Sequence, residues 1–173
     1  MTAGRRVYII GFMGSGKSTA GRKLASSLGW KFIDLDKEVE RIAGQSVKEI
    51  FSTLGEDHFR ETEANVLFGL ITEDDTVISA GGGTPCRGSN MDFMTATGIV
   101  VYLKMTPSQL NSRLEGSSVS RPLLNNLAGD ELLEYISHKL AEREEYYLKA
   151  QIITDGISLD IKALSKKVES TLL

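Results

Sequence analysis

Gly11-Phe12-Met13-Gly14-Ser15-Gly16-Lys17-Ser18 is the stretch whose reading decides the fold. It spells G-x-x-x-x-G-K-S, and its flanks are those the pattern needs. Before it, residues 6–10 (Arg-Val-Tyr-Ile-Ile) form a short, β-prone run, mostly apolar. After it, residues 19–28 place Ala20, Leu24, Ala25 and Leu28 at helical spacing. Glycines let the backbone fold tightly enough for successive N–H groups to point inward at phosphate oxygens. The helix N-terminus adds partial positive charge, Lys17 reaches β- and γ-phosphates, and the Ser18 hydroxyl is available to Mg²⁺. A plain glycine-rich turn would not require all the fixed positions together with both flanks, so the stretch reads as a nucleotide-phosphate site.

Working outward, strand-like and helical patterns alternate. Gly29 ends the first helix, and residues 30–36 read as a second strand finishing on Asp34 and Asp36, which alternation puts on one side. A helix follows over 37–43. Another starts after Ser46, with Glu49 three residues on as a capping box, and stops at Gly55; a separate helix covers 56–70. Residues 76–79 form a strand running into Gly81-Gly82-Gly83, and residues 99–103 form the most apolar strand. Pro107 opens a helix ending near Leu114, residues 130–149 form a long helix, 152–154 a fifth strand, and 158–173 a closing helix. The alternation implies an α/β fold, a parallel sheet with helices on both faces. Residues 115–128 lack a steady period and read as a long mobile loop, of the kind that is usually functional.

With 173 residues the chain is expected to form one domain over 1–173, with a helical substrate region at 36–70 and a lid at 115–128. A net charge of −3 gives no general field for nucleic acid, so anionic ligands must be held by a few placed basic residues. Cys86 is the single cysteine, which excludes an internal disulfide and fits a reducing cytoplasm. His58 and His138 are far apart with no cysteine pattern around them, so no zinc site is expected; they and Cys86 read as structural. No apolar run is long enough for a membrane span or a signal peptide. The expectation is a cytoplasmic monomer acting on small molecules.

In open parallel sheets ligands bind beyond the carboxyl ends of the strands, which gathers the phosphate loop, Asp34, Asp36 and Gly81-Gly82-Gly83. One acid would hold Mg²⁺ waters and the other would orient or deprotonate an attacking hydroxyl; a solvated helix cap is the competing reading. The glycine run permits close backbone approach to a ligand, or is only a flexible turn. Ser79 either serves the metal through water or is a plain strand serine. Arg143 shares a helix stripe with Ile136, Leu140 and Tyr147 and therefore needs an anionic partner, a ligand or an internal salt bridge. Arg60 sits beside Phe59 and one turn before Glu63, with the same two readings. Arg121, in the polar loop ahead of Pro122-Leu123-Leu124, could close over a phosphoryl group as an arginine finger does. Tyr146 and Tyr147 read as packing.

Taken together, the phosphate loop through Thr19, Asp34-Leu35-Asp36, Phe51 with Phe59-Arg60, Gly81-Gly82-Gly83, Ser120-Arg121-Pro122-Leu123-Leu124 and Arg143 resemble the shikimate kinases. These are phosphate-loop kinases of the nucleoside-monophosphate-kinase-like group. The resemblance runs from residue 11 to residue 143, and its later motifs are far more specific than the loop. It implies a five-stranded parallel sheet in the order 2-3-1-4-5 and ATP-dependent phosphorylation of the shikimate 3-hydroxyl. On that resemblance Asp36 binds the reacting hydroxyl, and Arg60 and Arg143 clamp the shikimate carboxylate beside Gly81, Gly82 and Gly83. Phe51, Phe59, Pro122 and Leu123 form apolar walls. Gly14, Ser15, Gly16, Lys17, Ser18, Thr19 and Arg121 hold ATP, with Lys17, Asp36 and Arg121 catalytic, and Ser18 and Asp34 (through water) hold Mg²⁺. The arginine that covers adenine falls at Arg113 or one place away, with Leu114 in the slot. A gluconate kinase would keep the loop without requiring the three arginines. A GTPase switch would need Asn-Lys-x-Asp, which the chain lacks.

Overall fold

Val7, Tyr8, Ile9 and Ile10 are all fully buried, on both faces of one strand, as expected of a parallel strand covered by helices on each side. This is β1 (Arg6–Ile10), at the centre of a five-stranded sheet in the computed structural model, which describes residues 4–117, 124 and 126–173. The sheet also holds β2 (Lys31–Asp34), β3 (Thr76–Ser79), β4 (Ile99–Lys104) and β5 (Ile152–Asp155), in the order β2-β3-β1-β4-β5 with every pairing parallel. The helices are α1 (Lys17–Leu28), α2 (Leu35–Ala43), α3 (Val47–Gly69), α4 (Asn90–Thr97), α5 (Pro107–Glu115), α6 (Gly129–Tyr147) and α7 (Ile161–Leu172). The expected sheet order holds.

Side-chain alternation along the strands divides the core in two. Val7, Ile9, Val77, Val101 and Leu103 pack with Leu24 of α1 and Leu164 and Val168 of α7. Tyr8, Ile10, Ile78, Val100 and Tyr102 pack with α2, α3, α4, α5 and α6. The second layer is much the larger, and the helices carrying Asp36, Arg60 and Arg143 all belong to it. Among the described residues no helix is long and apolar enough to cross a membrane.

One expectation needs correction. The second strand ends at Asp34, and Asp36 lies in the first turn of α2, so strand alternation does not relate the two acids. The cause is local: an Asp34 carboxylate oxygen accepts from the N–H groups of Asp36 (3.1 Å) and Lys37 (3.3 Å), capping the helix two residues earlier than expected. The break expected at Gly55 is present: the helices on either side of it follow on as α3, kinked there (φ 85°, ψ 170°). Helix α4, too short and irregular to show a period, went unpredicted. The capping box at Ser46 and Glu49 is present, as is one at Thr106 and Gln109.

Candidate active site

The phosphate loop joins β1 to α1, and Gly14 (φ 83°) and Gly16 (φ 85°) adopt the left-handed backbone its tight path needs. A side chain at Gly16 would also meet the Arg113 guanidinium at 3.0 Å. Above the loop lies a cleft of about 440 Å³, lined by Gly14, Gly16, Lys17, Ser18, Thr19, Asp34, Asp36, Ser79, Arg113 and Leu114 among others. Lys17 extends back along the loop, and its Nζ donates to the Phe12 carbonyl at 3.0 Å. Arg113 and Leu114, neighbouring positions of α5, both line this cleft.

Parallel pairing of β2 with β3 sets Asp34 beside Ser79. The Ser18 hydroxyl, in the first turn of α1, donates to Asp34 Oδ2 at 3.0 Å and lies 3.4 Å from Ser79 Oγ. Asp34 therefore does two jobs, one oxygen capping α2 and the other facing Ser18. Two hydroxyls and one carboxylate form a hard oxygen set at the mouth of the phosphate loop. It suits a small divalent cation that keeps several waters and takes the rest of its ligands from phosphate.

A second cavity of about 160 Å³ adjoins the cleft, and Met13, Asp36, Gly81 and Gly82 line both. Its other walls are Val47, Phe51, Phe59, Arg60, Glu63, Gly83 and Arg143. The kink in α3 brings Phe51 and Phe59 into contact, with ring centroids 4.8 Å apart, as one apolar wall. The three glycines lie tight against neighbouring side chains. A Cβ on Gly83 would meet Arg60 Nη2 at 2.6 Å, one on Gly82 would meet Arg143 Nη1 at 3.2 Å, and one on Gly81 would meet Thr84 Oγ1 at 3.0 Å and Glu63 Oε2 at 3.3 Å. Each glycine thus has a charged side chain close against it.

The two arginines differ. Arg60 donates to Glu63 Oε1 at 3.0 Å and approaches Glu56 at 3.6 Å, so it has internal partners. Arg143 is only 8% exposed, lies 5.4 Å from the centre of the Phe12 ring, and its buried Nη1 has no hydrogen-bond partner among the described residues. A buried guanidinium in that condition calls for an anion from outside the protein. Asp36 is the acid whose titration is displaced upward in this site. Burial first, then the nearby carboxylates of Glu63 and Asp34, push its pKa up to about 6, against the opposing pull of Lys17 and Arg60. A carboxylate so placed is basic enough to take a proton near neutral pH.

The structure thus brings Lys17, Ser18, Asp34, Asp36, Phe51, Phe59, Arg60, the three glycines, Arg113 and Arg143 around two joined cavities. Arg121, Pro122 and Leu123 lie outside the described residues. Sequence reasoning missed Glu63, Met13 and the role of Tyr147. Glu63 is a fully buried acid on an apolar helical stripe, the same signal that marked Arg143. Tyr147 does pack, yet its hydroxyl also donates to the Gly82 carbonyl at 2.6 Å and so pins the glycine turn.

The family model described as shikimate kinase matches residues 13–172. A shikimate kinase of Parabacteroides distasonis is 43% identical over 152 residues, covering 88% of each chain. Among solved structures, shikimate kinase from Bacteroides thetaiotaomicron superposes with a TM-score of 0.87 at 36% identity, over 96% of this chain and 97% of that one. Shikimate kinase from Acinetobacter baumannii, in complex with shikimate, superposes with a TM-score of 0.84 at 32% identity, over 96% and 92%.

Proposed function

This chain belongs to the shikimate kinase family, and on that footing we propose how its two cavities transfer the γ-phosphoryl group of ATP to the 3-hydroxyl of shikimate. That reaction makes shikimate 3-phosphate and ADP, a step of aromatic amino-acid biosynthesis. The observation that carries the assignment of residues is the position of Asp36, on the boundary between the phosphate cleft and the smaller pocket.

ATP lies in the larger cleft with its phosphates on the loop N–H groups and Lys17, and its base toward Arg113 and Leu114. Shikimate occupies the smaller pocket with its carboxylate between Arg60 and Arg143 and its ring against Phe51 and Phe59. Asp36 accepts the proton of the 3-hydroxyl as that oxygen bonds to the γ-phosphorus, and the bond to the β,γ-bridging oxygen breaks to release ADP. Ser18 and Asp34, with Ser79 alongside, would hold Mg²⁺, which when bound neutralises charge on the β- and γ-phosphates. Arg121 is assigned to the transferring phosphoryl group on the sequence pattern alone, as is a lid over 115–128.

The reading includes action on small molecules, as a monomer. A single cysteine and dependence on ATP fit the cytoplasm. The test is an ADP-release assay with Mg-ATP over a panel of hydroxy acids that includes shikimate and gluconate. Turnover confined to shikimate is expected. Equal turnover of gluconate, or none with shikimate, would overturn the reading.

A further inference from the structure

Behind the clamp a chain of buried hydrogen bonds runs through Asn90 and Thr84, neither of which lines a cavity, to Gly81 and Glu63, which do. Asn90, 1% exposed, donates through Nδ2 to the Thr84 carbonyl at 2.9 Å, and the Thr84 N–H bonds back to the Gly81 carbonyl at 3.2 Å. With its peptide groups tied on both sides, Thr84 has little freedom. Its own hydroxyl, fully buried, donates to Glu63 Oε2 at 2.8 Å. The other Glu63 oxygen accepts from Arg60 Nη1 at 3.0 Å.

This bond joins two elements that must stay in register, the helix α3 that carries Arg60 and the turn after β3 that carries the glycines. The terminal torsion of a glutamate side chain is soft, and a donor fixed on one oxygen sets the plane in which the other lies. We propose that Thr84 is a positioning residue: through Glu63 it holds the Arg60 guanidinium where the acceptor carboxylate binds, and so sets the affinity for that acceptor. The inference rests on the assignment of Arg60 to the shikimate carboxylate. It adds the residue that orients the clamp from the side facing away from the substrate.

The experiment compares Thr84→Ala, Thr84→Val and Thr84→Ser with the unsubstituted enzyme and with Arg60→Ala, measuring kcat and both KM values. Losing a hydrogen bond to a buried carboxylate should raise KM for shikimate about tenfold in the Ala variant, leaving KM for ATP unchanged and kcat little affected. Thr84→Ser keeps the donor and should restore KM to within about twofold of the parent. If the Ala variant folds poorly, the Val variant, with the same shape and no donor, must show the same rise. In an Arg60→Ala background, Thr84→Ala should add nothing to KM, because its effect passes through that arginine. A shikimate KM unchanged in the Ala and Val variants, no recovery with Ser, or a full further rise in the Arg60→Ala background overturns the inference. These failures are distinct from that of the underlying reading. If Arg60→Ala raises KM and Thr84→Ala does not, only the present inference falls; if the parent enzyme does not turn over shikimate, both fall.

Discussion

Asp36 is a carboxyl group whose burial and acidic neighbours serve its use as a base. Asp36→Asn should keep ATP affinity while losing most turnover, since the amide cannot accept the proton; near-parental kcat would remove Asp36 from the mechanism. With its pKa raised to about 6, kcat/KM for shikimate should fall on the acid side of that value, where the group is already protonated, and level off above it. A pH profile flat down to pH 5 would contradict this. Arg60 and Arg143 separate by what each leaves behind. Either Ala substitution should weaken shikimate binding by about 2–5 kcal/mol with ATP binding barely changed. Arg60→Ala also strands the buried Glu63 carboxylate and should lower thermal stability. Among the described residues Arg143 has no ion-pair partner and its buried Nη1 is unpaired, so Arg143→Ala should cost affinity with little loss of melting temperature. Calorimetry and thermal melts on the pair decide it, and equal destabilisation would refute the distinction.

Helix α3 gains its shape from a single residue. Gly55, at φ 85° and ψ 170°, occupies backbone space that only glycine reaches cheaply, and no atom crowds the site where its Cβ would be. The kink there aims Phe51 and Phe59 at one wall of the acceptor pocket. Gly55→Ala should therefore cost about 1–3 kcal/mol of stability through backbone conformation alone, and it should raise KM for shikimate more than KM for ATP. Melting curves with steady-state kinetics test both parts. An unchanged melting temperature would show that the kink is not strained for alanine.

Over the whole molecule, the active centre opposes stability. The folded pKa of Asp36 lies above its ordinary value of 3.8, so the native state binds the proton more tightly than the unfolded chain does. Below the ordinary value both states are protonated and nothing is lost. As pH rises from there to about 6 the unfolded state gains from ionising and the native state does not, so stability falls across that window. Asp36→Asn should accordingly raise the stability of the ligand-free protein at pH 7–8, by on the order of 2–3 kcal/mol, and make little difference near pH 3–4. A variant no more stable than the parent at pH 8 would show that burial of this carboxylate carries no cost.

The amino-acid sequence by itself determined the phosphate loop, the alternation that makes a parallel α/β sheet, and most groups in the two cavities. It could do so because the loop depends on local backbone geometry, because Arg143 betrays itself as a charge on an apolar stripe, and because Arg60 stands beside Phe59 and one turn before Glu63. Helix α4 and the true end of β2 were beyond it. Capping of α2 by Asp34 competes with strand extension, and only the folded backbone shows which prevails. Only the tertiary structure decided which charges face one another. Gly81, Gly82 and Gly83 could be read as a loose turn until Glu63, Arg143 and Arg60 were seen pressed against them. The Asp36 pKa likewise arises from Glu63, twenty-seven positions away in sequence, and from burial beneath helices that meet only when the chain is folded. Spacing along a chain records which faces are apolar. Desolvation and pairing depend on distances between elements, and packing alone sets those.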